Sequence, residues 1–371
     1  MKFTIERNNL MKSLGHVQSV VERRNTIPIL SNVKVEASDG VVKLNATDMD
    51  QDVIETTPAQ VATPGATTVS VHTLYDIVRK LPGGAQVDLD SNGDGELTLS
   101  SGRSRFALQS LPIDEFPVLS GGELPHAFSL KAEELRSLID RSRFAISTEE
   151  TRYYLNGIYL HNAERNGAAV LRAVATDGHR LASVEVPVPV GAESIPGVIV
   201  PRKAITELRK LIDELNDDVE LSLSETAIRF SFDNVVLTSK LIDGTFPDYE
   251  RVIPTGNDKA MEVDCKLFAD AVDRVSAISS DKSRAIKLTL SENLLVLSAS
   301  SPEHGSATEE LEVAYQAEAL EIGFNSGYLL DISRQIEGNL ARFTMADSAS
   351  PTIVQELDKT SALYVLMPMR V

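Results

Sequence analysis

The sequence predicts an α+β fold made of six copies of a β-α-β-β-β unit, paired into three similar domains. Three observations predict it. Three segments open alike, a strand-then-helix signal recurs halfway through each, and short alternating runs fill the space between.

The three openings are "FTIERNNLMKSLGHV" from Phe3, "FSLKAEELRSLIDRS" from Phe128 and "MEVDCKLFADAVDRV" from Met261. Each passes from a short alternating strand into an amphipathic helix. Their apolar positions agree: Phe3, Leu10 and Leu14; Phe128, Leu135 and Ile139; Met261, Phe268 and Val272. That spacing puts the helical members on one face. The second signal reads "VSVHTLYDIVRKL" from Val69, "VIVPRKAITELRKL" from Val198 and "IGFNSGYLLDISRQI" from Ile322. Helices are therefore expected in 8–24, 70–81, 131–144, 201–215, 264–277 and 326–337. After each come period-2 runs such as "VVKLNA", "VELSLS", "AIRFSF" and "LLVLSA", separated by Gly, Asn, Asp and Ser.

Turn-rich stretches at "SGGELP" (120–125) and "PTGNDK" (254–259) divide the chain into 1–124, 125–256 and 257–371. "LPIDEFP" and "LIDGTFP" end the first two domains, with Pro117 and Pro247 in the same place. "NATDMD", "VATDGH" and "SASSPE" occupy one repeat position, and only the second copy carries His and Arg beyond the turn.

A chain of 371 residues with 42% hydrophobic and 24% charged residues builds packed cores of ordinary domain size. Trp is absent and aromatics are 5%, so the cores are expected to be aliphatic. The start "MKFTIERNNL" has no apolar h-region, and no run reaches the ~18 apolar residues of a membrane span. A cytoplasmic protein is the expectation. The lone Cys265 excludes an intramolecular disulfide and a multi-cysteine metal site. The net charge of -18 argues, taken globally, against nucleic acid. Its distribution argues otherwise: the six helix windows together carry +3 and the remainder -21. A surface made of those helices can attract a polyanion without reading sequence.

"RAVATDGHRLASVEV" (172–186) sets Asp177, His179 and Arg180 beside Thr176 and Gly178. These are the groups of a general base, its carboxylate and an anion clamp, as in a cytosolic hydrolase using Asp177 and His179. No G-x-S-x-G or other nucleophile pattern accompanies them. Thr-Asp-Gly is equally a tight turn that presents His and Arg for binding. "DLDSNGDGELTL" (88–99) imitates a calcium loop but has Leu99 where the bidentate Glu belongs, so a hairpin is expected. No metal spacing, P-loop or dinucleotide fingerprint is present, and neither cofactor nor metal is expected. "RYYLNG" (152–157) is a half-buried strand or a phosphate- and base-contacting segment. "YVLMPMRV" ends the sequence on apolar residues, fitting a sheet-sealing strand, an adaptable groove or both.

The motifs "MKFT.ER", "IPIL", "GRSRF", "RYYLNG", "VATDGHRLA", "VPRKA", "TSKL.DG.FPDY", "GFN..Y" and "MPMR" follow in one order along the whole chain. In them the sequence resembles the bacterial sliding-clamp family, the beta subunits of DNA polymerase III. The resemblance implies the DNA-clamp fold: a head-to-tail homodimeric ring with helices inside and sheets outside. It implies a non-enzymatic processivity factor, with no catalytic residue and no membrane partner, that encircles double-stranded DNA without reading its sequence. The candidate DNA contacts it carries over are Arg24, Arg79, Tyr153, Tyr154, Arg202 and Lys203. His72 stands where the family often has Arg, and Glu149 where it commonly has Gln.

The resemblance also implies a groove for peptides of the DNA polymerase III alpha subunit, the clamp loader and other replication and repair proteins. Its matching positions are Leu155, Thr176, Gly178, His179, Arg180, Leu181, Pro247, Arg251, Asn325, Tyr328, Val365, Met367, Pro368, Met369 and Arg370, with Ser283 and Pro351 at its edge. The implied dimer interface sets Phe106 and Leu108 near Ile278. Arg103 and Arg105 there face Glu303, Glu309 and Glu310. An acidic scaffold that binds proteins but no DNA is the remaining alternative.

Overall fold

All six units are present, each a strand, a helix and three strands. The computed structural model describes residues 1–119, 121–279, 284–358 and 361–371. The helices are α1 (Arg7–Val17), α2 (Val71–Lys80), α3 (Ala132–Asp140), α4 (Arg202–Leu211), α5 (Cys265–Ser276) and α6 (Ser326–Ser333). Strands Gln60–Thr63 and Ala314–Tyr315 are additions to the repeat. Several helices stop before their expected ends. The apolar period of 8–24 continues into a 3-10 turn, Gln18–Val20, and that of 131–144 into Arg143–Ala145. Val20, Val21 and Ala145 are buried, so the period there records packing and not helical hydrogen bonding.

The anchors shared by the three openings are all in the core. From Phe3, Leu10 and Leu14 to Met261, Phe268 and Val272, none is more than 5% exposed. Each such side chain stabilises the fold by about 1.5–3 kcal/mol through burial. Acidic or amide residues close the N-termini of three helices. Glu6 accepts from the N–H groups of Asn8 and Asn9, Asp264 from Leu267, and Asn325 from Gly327 and Tyr328. Arg7 bonds the carbonyls of Val78 and Arg79 at the end of α2, where a cation is favoured.

The first strand of each repeat pairs with the meander of its partner repeat. Lys2–Glu6 pairs with Gln86–Ser91, and Gly65–Ser70 with Asn32–Ser38. His126–Lys131 pairs with Asp218–Leu223, and Val198–Pro201 with Gly157–Arg165. Lys259–Asp264 pairs with Leu340–Met345, and Leu320–Asn325 with Ala285–Ser291. The intervening helix explains the exchange. Ten helical residues displace the chain by about 15 Å, some three strand spacings of about 4.8 Å. The following strand therefore starts beyond reach of the first.

The described residues gather into two compact units. One comprises Met1–Leu135, Pro189–Pro196 and Lys203–Leu241, with sheets of five and eight strands. The other comprises Arg136–Val188, Gly197–Arg202 and Ile242–Val371, with sheets of nine and four strands. Within each unit two meanders join edge to edge. Gln51–Pro58 runs antiparallel to Val235–Lys240, pairing Val53 with Leu237. Arg180–Pro187 runs antiparallel to Ala362–Leu366, pairing Leu181 with Val365. Strand Ser104–Gln109 ends the five-stranded sheet and Gly305–Glu312 the four-stranded one.

The calcium-loop mimic is the expected hairpin, Gln86–Ser91 to Glu96–Ser101, turning on Gly93 and Gly95 at positive φ. Its acidic groups serve the sheet: Asp88 accepts from Thr4 Oγ1 and Asp90 pairs with Lys2. Burial pushes the Cys265 thiol up to about 11, and its Sγ lies 3.3 Å from the carbonyl of Ser333. It is a packing group. Among the described residues no helix is long and apolar enough to cross a membrane, and no cluster of His, Cys, Asp and Glu can hold a metal ion.

Asp52 lies buried on the strand that forms the first of these joins, and its Oδ1 has no hydrogen-bond partner among the described residues. Burial pushes its carboxyl up to about 6, against the pull of Asn45, Lys43 and Arg229. A carboxyl raised in the folded state destabilises that state once ionised, and protonation removes the cost. Asp52→Asn is expected to add about 2–3 kcal/mol of stability near pH 8. It should also flatten the rise in wild-type stability between about pH 6 and about pH 4. Urea unfolding at several pH values checks this, and parallel pH profiles for the two proteins would count against it.

Candidate functional site: a cleft beside the terminal strand

The motif "TDGHR" is a turn shaped by its own side chains. Asp177 Oδ1 accepts the N–H groups of His179 and Arg180 at 2.9 and 3.0 Å. Thr176 Oγ1 donates to the carbonyl of Arg180 and accepts from Gly178 N–H. Gly178 sits at φ 88°, where a glycine costs least. The earlier copy repeats the pattern bond for bond. Asp48 accepts from Asp50 and Gln51, Thr47 bonds the carbonyl of Gln51 and the N–H of Met49, and Met49 takes φ 74°. The two copies share a backbone and differ in what they present.

In the second copy Arg180 is tied down. It donates to Asp177 Oδ2, to Asp331 Oδ2 at 2.5 Å and to the carbonyl of Phe144 at 2.7 Å. Its guanidinium lies 4.4 Å from the ring centre of Tyr328 and 5.1 Å from that of Phe144. His179 stacks on Tyr328, with centroids 6.3 Å apart. Arg180 thus acts as a strut between the turn and α6, its charge balanced by two carboxylates.

The C-terminal residues complete this wall. After strand Ala362–Leu366, Met367 N–H donates to the carbonyl of His179 at 2.9 Å and Met369 N–H to that of Gly323 at 2.7 Å. Gly323 allows the approach, since a Cβ there would lie 2.6 Å from the backbone oxygen of Met369.

Between these elements opens a cleft of about 320 Å³. Of the expected groove residues, Leu155, Thr176, Gly178, Arg180, Leu181, Pro247, Val365 and Met367 line it. So do Arg152, Tyr154, Asp248, Tyr249 and Val252, which the sequence reading did not assign to it. A buried cluster of Leu155, Val174, Leu181, Ile199, Phe246, Tyr249 and Val365 forms the floor. The "RYYLNG" segment that supplies Tyr154 and Leu155 is a 3-10 turn, Glu150–Leu155, and not a strand. Arg152 and Glu149 form an ion pair at 2.7 Å, and that hydrogen bond holds Glu149 below the usual carboxylate range.

The other expected groove residues lie outside the cleft lining. Tyr328 and His179 form the stacked pair above, and burial pushes the Tyr328 hydroxyl up. Asn325 caps α6 with its side-chain oxygen. Arg251 is exposed and pairs with Asp248 at 2.6 Å. Pro368 and Met369 are half-buried and Arg370 is exposed. Pro351 accepts from Asn257 Nδ2, while Ser283 lies outside the described residues.

The candidate DNA contacts divide. Arg24 and Tyr153 are exposed, and Arg79 is exposed while paired with Asp76 at 3.2 Å. Arg202 is exposed at the start of α4. Lys203 is held between Asp48 and Glu22; burial would lower its pKa, but the two carboxylates hold it above the usual range. Tyr154 meets Tyr153 edge-on at 5.8 Å and turns into the cleft. His72 Nε2 lies 3.0 Å from the carbonyl of Val21, tying α2 to the loop before Arg24.

Of the candidate interface residues, Phe106, Leu108 and Ile278 are half-buried, and Arg103, Arg105, Glu303 and Glu310 are exposed. Glu309 is engaged within the chain by Arg274, whose hydrogen bond lowers its pKa.

Gly178 gives a direct test of the turn. A Cβ there would stand 2.6 Å from Arg152 Nη1, on a backbone at positive φ. Gly178→Ala is expected to lower stability by about 1–2 kcal/mol. Denaturant unfolding measures it, and a change near zero would show that the turn relaxes freely.

Comparison with known proteins covers the chain from end to end. It matches the DNA polymerase III beta subunit N-terminal domain over residues 1–120, the central domain over 129–248 and the C-terminal domain over 250–370. It is 53% identical to the beta sliding clamp of Caulobacter vibrioides (strain NA1000), with all of both chains covered. Among solved structures it is similar to a Bartonella birtlesii sliding clamp bound to griselimycin, with TM-score 0.97, 50% identity and 100% of both chains covered. It is also similar to a Caulobacter crescentus beta sliding clamp with polyethylene glycol bound. There the TM-score is 0.98 at 53% identity, covering 100% of this chain and 99% of the other. With the fold, the repeats and the full length of the chain in agreement, the protein belongs to the DNA polymerase III beta subunit family, the bacterial beta sliding clamps.

Proposed function

We propose that two copies of the chain close head to tail into a ring around duplex DNA and tether the replicative polymerase to it. The protein is a DNA sliding clamp, a processivity factor and not an enzyme. The observation in the molecule that best supports the ring is the opposite charge on two of its open sheet edges. Ser104–Gln109 and Gly305–Glu312 each have one neighbouring strand among the described residues. Arg103 precedes the first and Arg105 lies on it; Glu303 precedes the second and Glu310 lies on it. Edges left open invite another chain, and a heterologous pairing that closes gives a ring. Phe106, Leu108 and Ile278 supply its apolar part. The domains are 1–124, 125–256 and 257–371, because every strand exchange joins repeats inside one of these segments.

Tethering calls for attraction to the phosphate backbone without base readout. The exposure of Arg24, Arg79, Arg202 and Tyr153 supports that role for them, Arg79 beside its partner Asp76, while Lys203 is already balanced by two carboxylates. DNA as the partner puts the protein in the cytoplasm. The cleft takes short peptide motifs of the DNA polymerase III alpha subunit, the clamp loader and other replication and repair proteins. A leucine buried against Leu155, Leu181, Val365 and Met367 contributes about 1.5–3 kcal/mol. A hydrolase using Asp177 and His179 has no support, since the Asp177 carboxylate is occupied by backbone N–H groups and Arg180.

Loaded onto nicked circular DNA, the protein should be retained and then lost on linearisation; equal loss from both forms would sink the ring. Deleting Met367 to Val371 should weaken binding of a polymerase alpha-subunit peptide by tenfold or more, on the order of 1.4 kcal/mol, while the dimer persists. Calorimetry and sedimentation report the two, and unchanged peptide affinity would refute the cleft assignment.

A further inference from the structure

We propose that Tyr249, held by Arg172 and His161, is the positioning residue that fixes one wall of the cleft, so that peptide affinity depends on the protonation of a histidine behind that wall. The inference rests on the cleft being the peptide site. The wall in question, Pro247 to Val252, is no part of a sheet; its regular element is a single 3-10 turn, Tyr249–Val252. Something other than strand pairing must hold it at a fixed distance from the opposite wall at Thr176, Arg180 and Met367.

Tyr249 does so in two ways. Its ring belongs to the buried floor, edge-on to Phe246 at 6.4 Å and to His161 at 5.7 Å. Tyr159 lies between Phe246 and His161, stacked on the first at 4.9 Å and on the second at 4.5 Å. Its hydroxyl is tied to the sheet behind. Arg172 Nη1 donates to Tyr249 Oη at 2.7 Å, and His161 Nε2 lies 3.0 Å from the same oxygen.

The direction of each bond follows from the groups present. His161 Nδ1 is 2.7 Å from the carbonyl of Asn162, which can only accept, so Nδ1 carries the hydrogen. In the neutral ring Nε2 is then an acceptor, and it takes the Tyr249 hydrogen. The chain runs one way, from Arg172 through Tyr249 and His161 to the backbone. Arg172 is itself 8% exposed and held by Glu185 at 2.7 Å and by Glu250 at 2.9 Å. Arg165 also reaches Glu185, at 3.2 Å.

A proton on His161 reverses the relay. Nε2 then donates to Tyr249 Oη, which must accept from His161 and Arg172 together while its own hydrogen loses its acceptor. Two cations converge on one oxygen and the tie weakens. The charged and titratable groups around the ring are Arg172, Glu185, Glu250, Tyr159 and Tyr249. Burial, joined by the Arg172 charge, holds His161 below its usual range despite the Asn162 carbonyl and the two glutamates. The switch therefore lies on the acid side of an ordinary imidazole.

The test is binding of a fluorescein-labelled clamp-binding peptide of the polymerase alpha subunit, followed by anisotropy at about pH 7.5 and about pH 5. Three full-length proteins are compared: wild type, Tyr249→Phe and His161→Gln. Phe keeps the ring, and Gln keeps an acceptor that does not titrate. Tyr249→Phe, which removes both hydroxyl ties, should bind more weakly by about fivefold or more at the higher pH. Wild type should weaken by a similar factor on acidification, beyond any change in His161→Gln, which shares His179 and the peptide's own titrating groups. Thermal melts confirm that both variants are folded at each pH. Equal affinity of Tyr249→Phe and wild type at pH 7.5, or the same pH dependence in wild type and His161→Gln, would overturn the proposal. If deletion of Met367 to Val371 also leaves binding intact, it is the cleft reading that fails; if the deletion abolishes binding, only this inference does.

Discussion

Backbone hydrogen bonding at strand edges is the constraint on which the rest of the molecule depends. A helix inserted after the first strand of every repeat carries the following strand out of its reach, so the first strand takes a partner from the neighbouring meander. This happens six times over. Two repeats then cannot be separated without opening two sheets, and each pair becomes one cooperative piece. Some of the edges left after the exchange are satisfied where Gln51–Pro58 meets Val235–Lys240 and where Arg180–Pro187 meets Ala362–Leu366. Ser104–Gln109 and Gly305–Glu312 keep one neighbour each, and the strong opposition of charge beside them favours unlike partners over like ones.

The second join also makes the cleft. Leu181 and Val365 are cross-strand partners there and supply adjacent apolar surface to its floor. Because the last strand ends beside the His179 turn, Met367 falls on the rim through one backbone bond to His179. Polar side chains around this apolar centre mostly bond one another. Arg180 binds Asp177 and Asp331, Arg152 binds Glu149, and Arg251 binds Asp248. A peptide entering the cleft meets apolar side chains framed by charges that are already balanced.

Two copies of one turn show how a repeated fold acquires a single site. Thr47–Gln51 and Thr176–Arg180 share their Asp and Thr hydrogen bonds. The residue after the turn is Asp52 in one copy and Leu181 in the other, and the facing cross-strand partners are Thr238 and Val365. A polar pair in the first and an apolar pair in the second decide which join can receive an apolar ligand, with the backbone unchanged.

Sequence by itself determined the six repeats, because a buried helix face and a half-buried strand leave periods of 3.6 and 2 wherever they occur. It also carried the tight turn at Asp177 and, through ordered motifs such as "VATDGHRLA" and "MPMR", the family and most of the cleft lining. Helix ends were less legible, since Val20 and Ala145 are buried in 3-10 turns and prolong the apolar period past the last helical bond. Only the tertiary structure decided that Tyr154 turns into the cleft while Tyr153 stays exposed, that Lys203 is balanced by Asp48 and Glu22, and that Arg180 and Asn325 brace the walls. Tyr249 stands two residues after Pro247 in the sequence, yet its place depends on Arg172 and His161, which lie on other strands. Local patterns record what a residue's own element does; which side chains meet across 77 or 151 positions is set by how those elements pack.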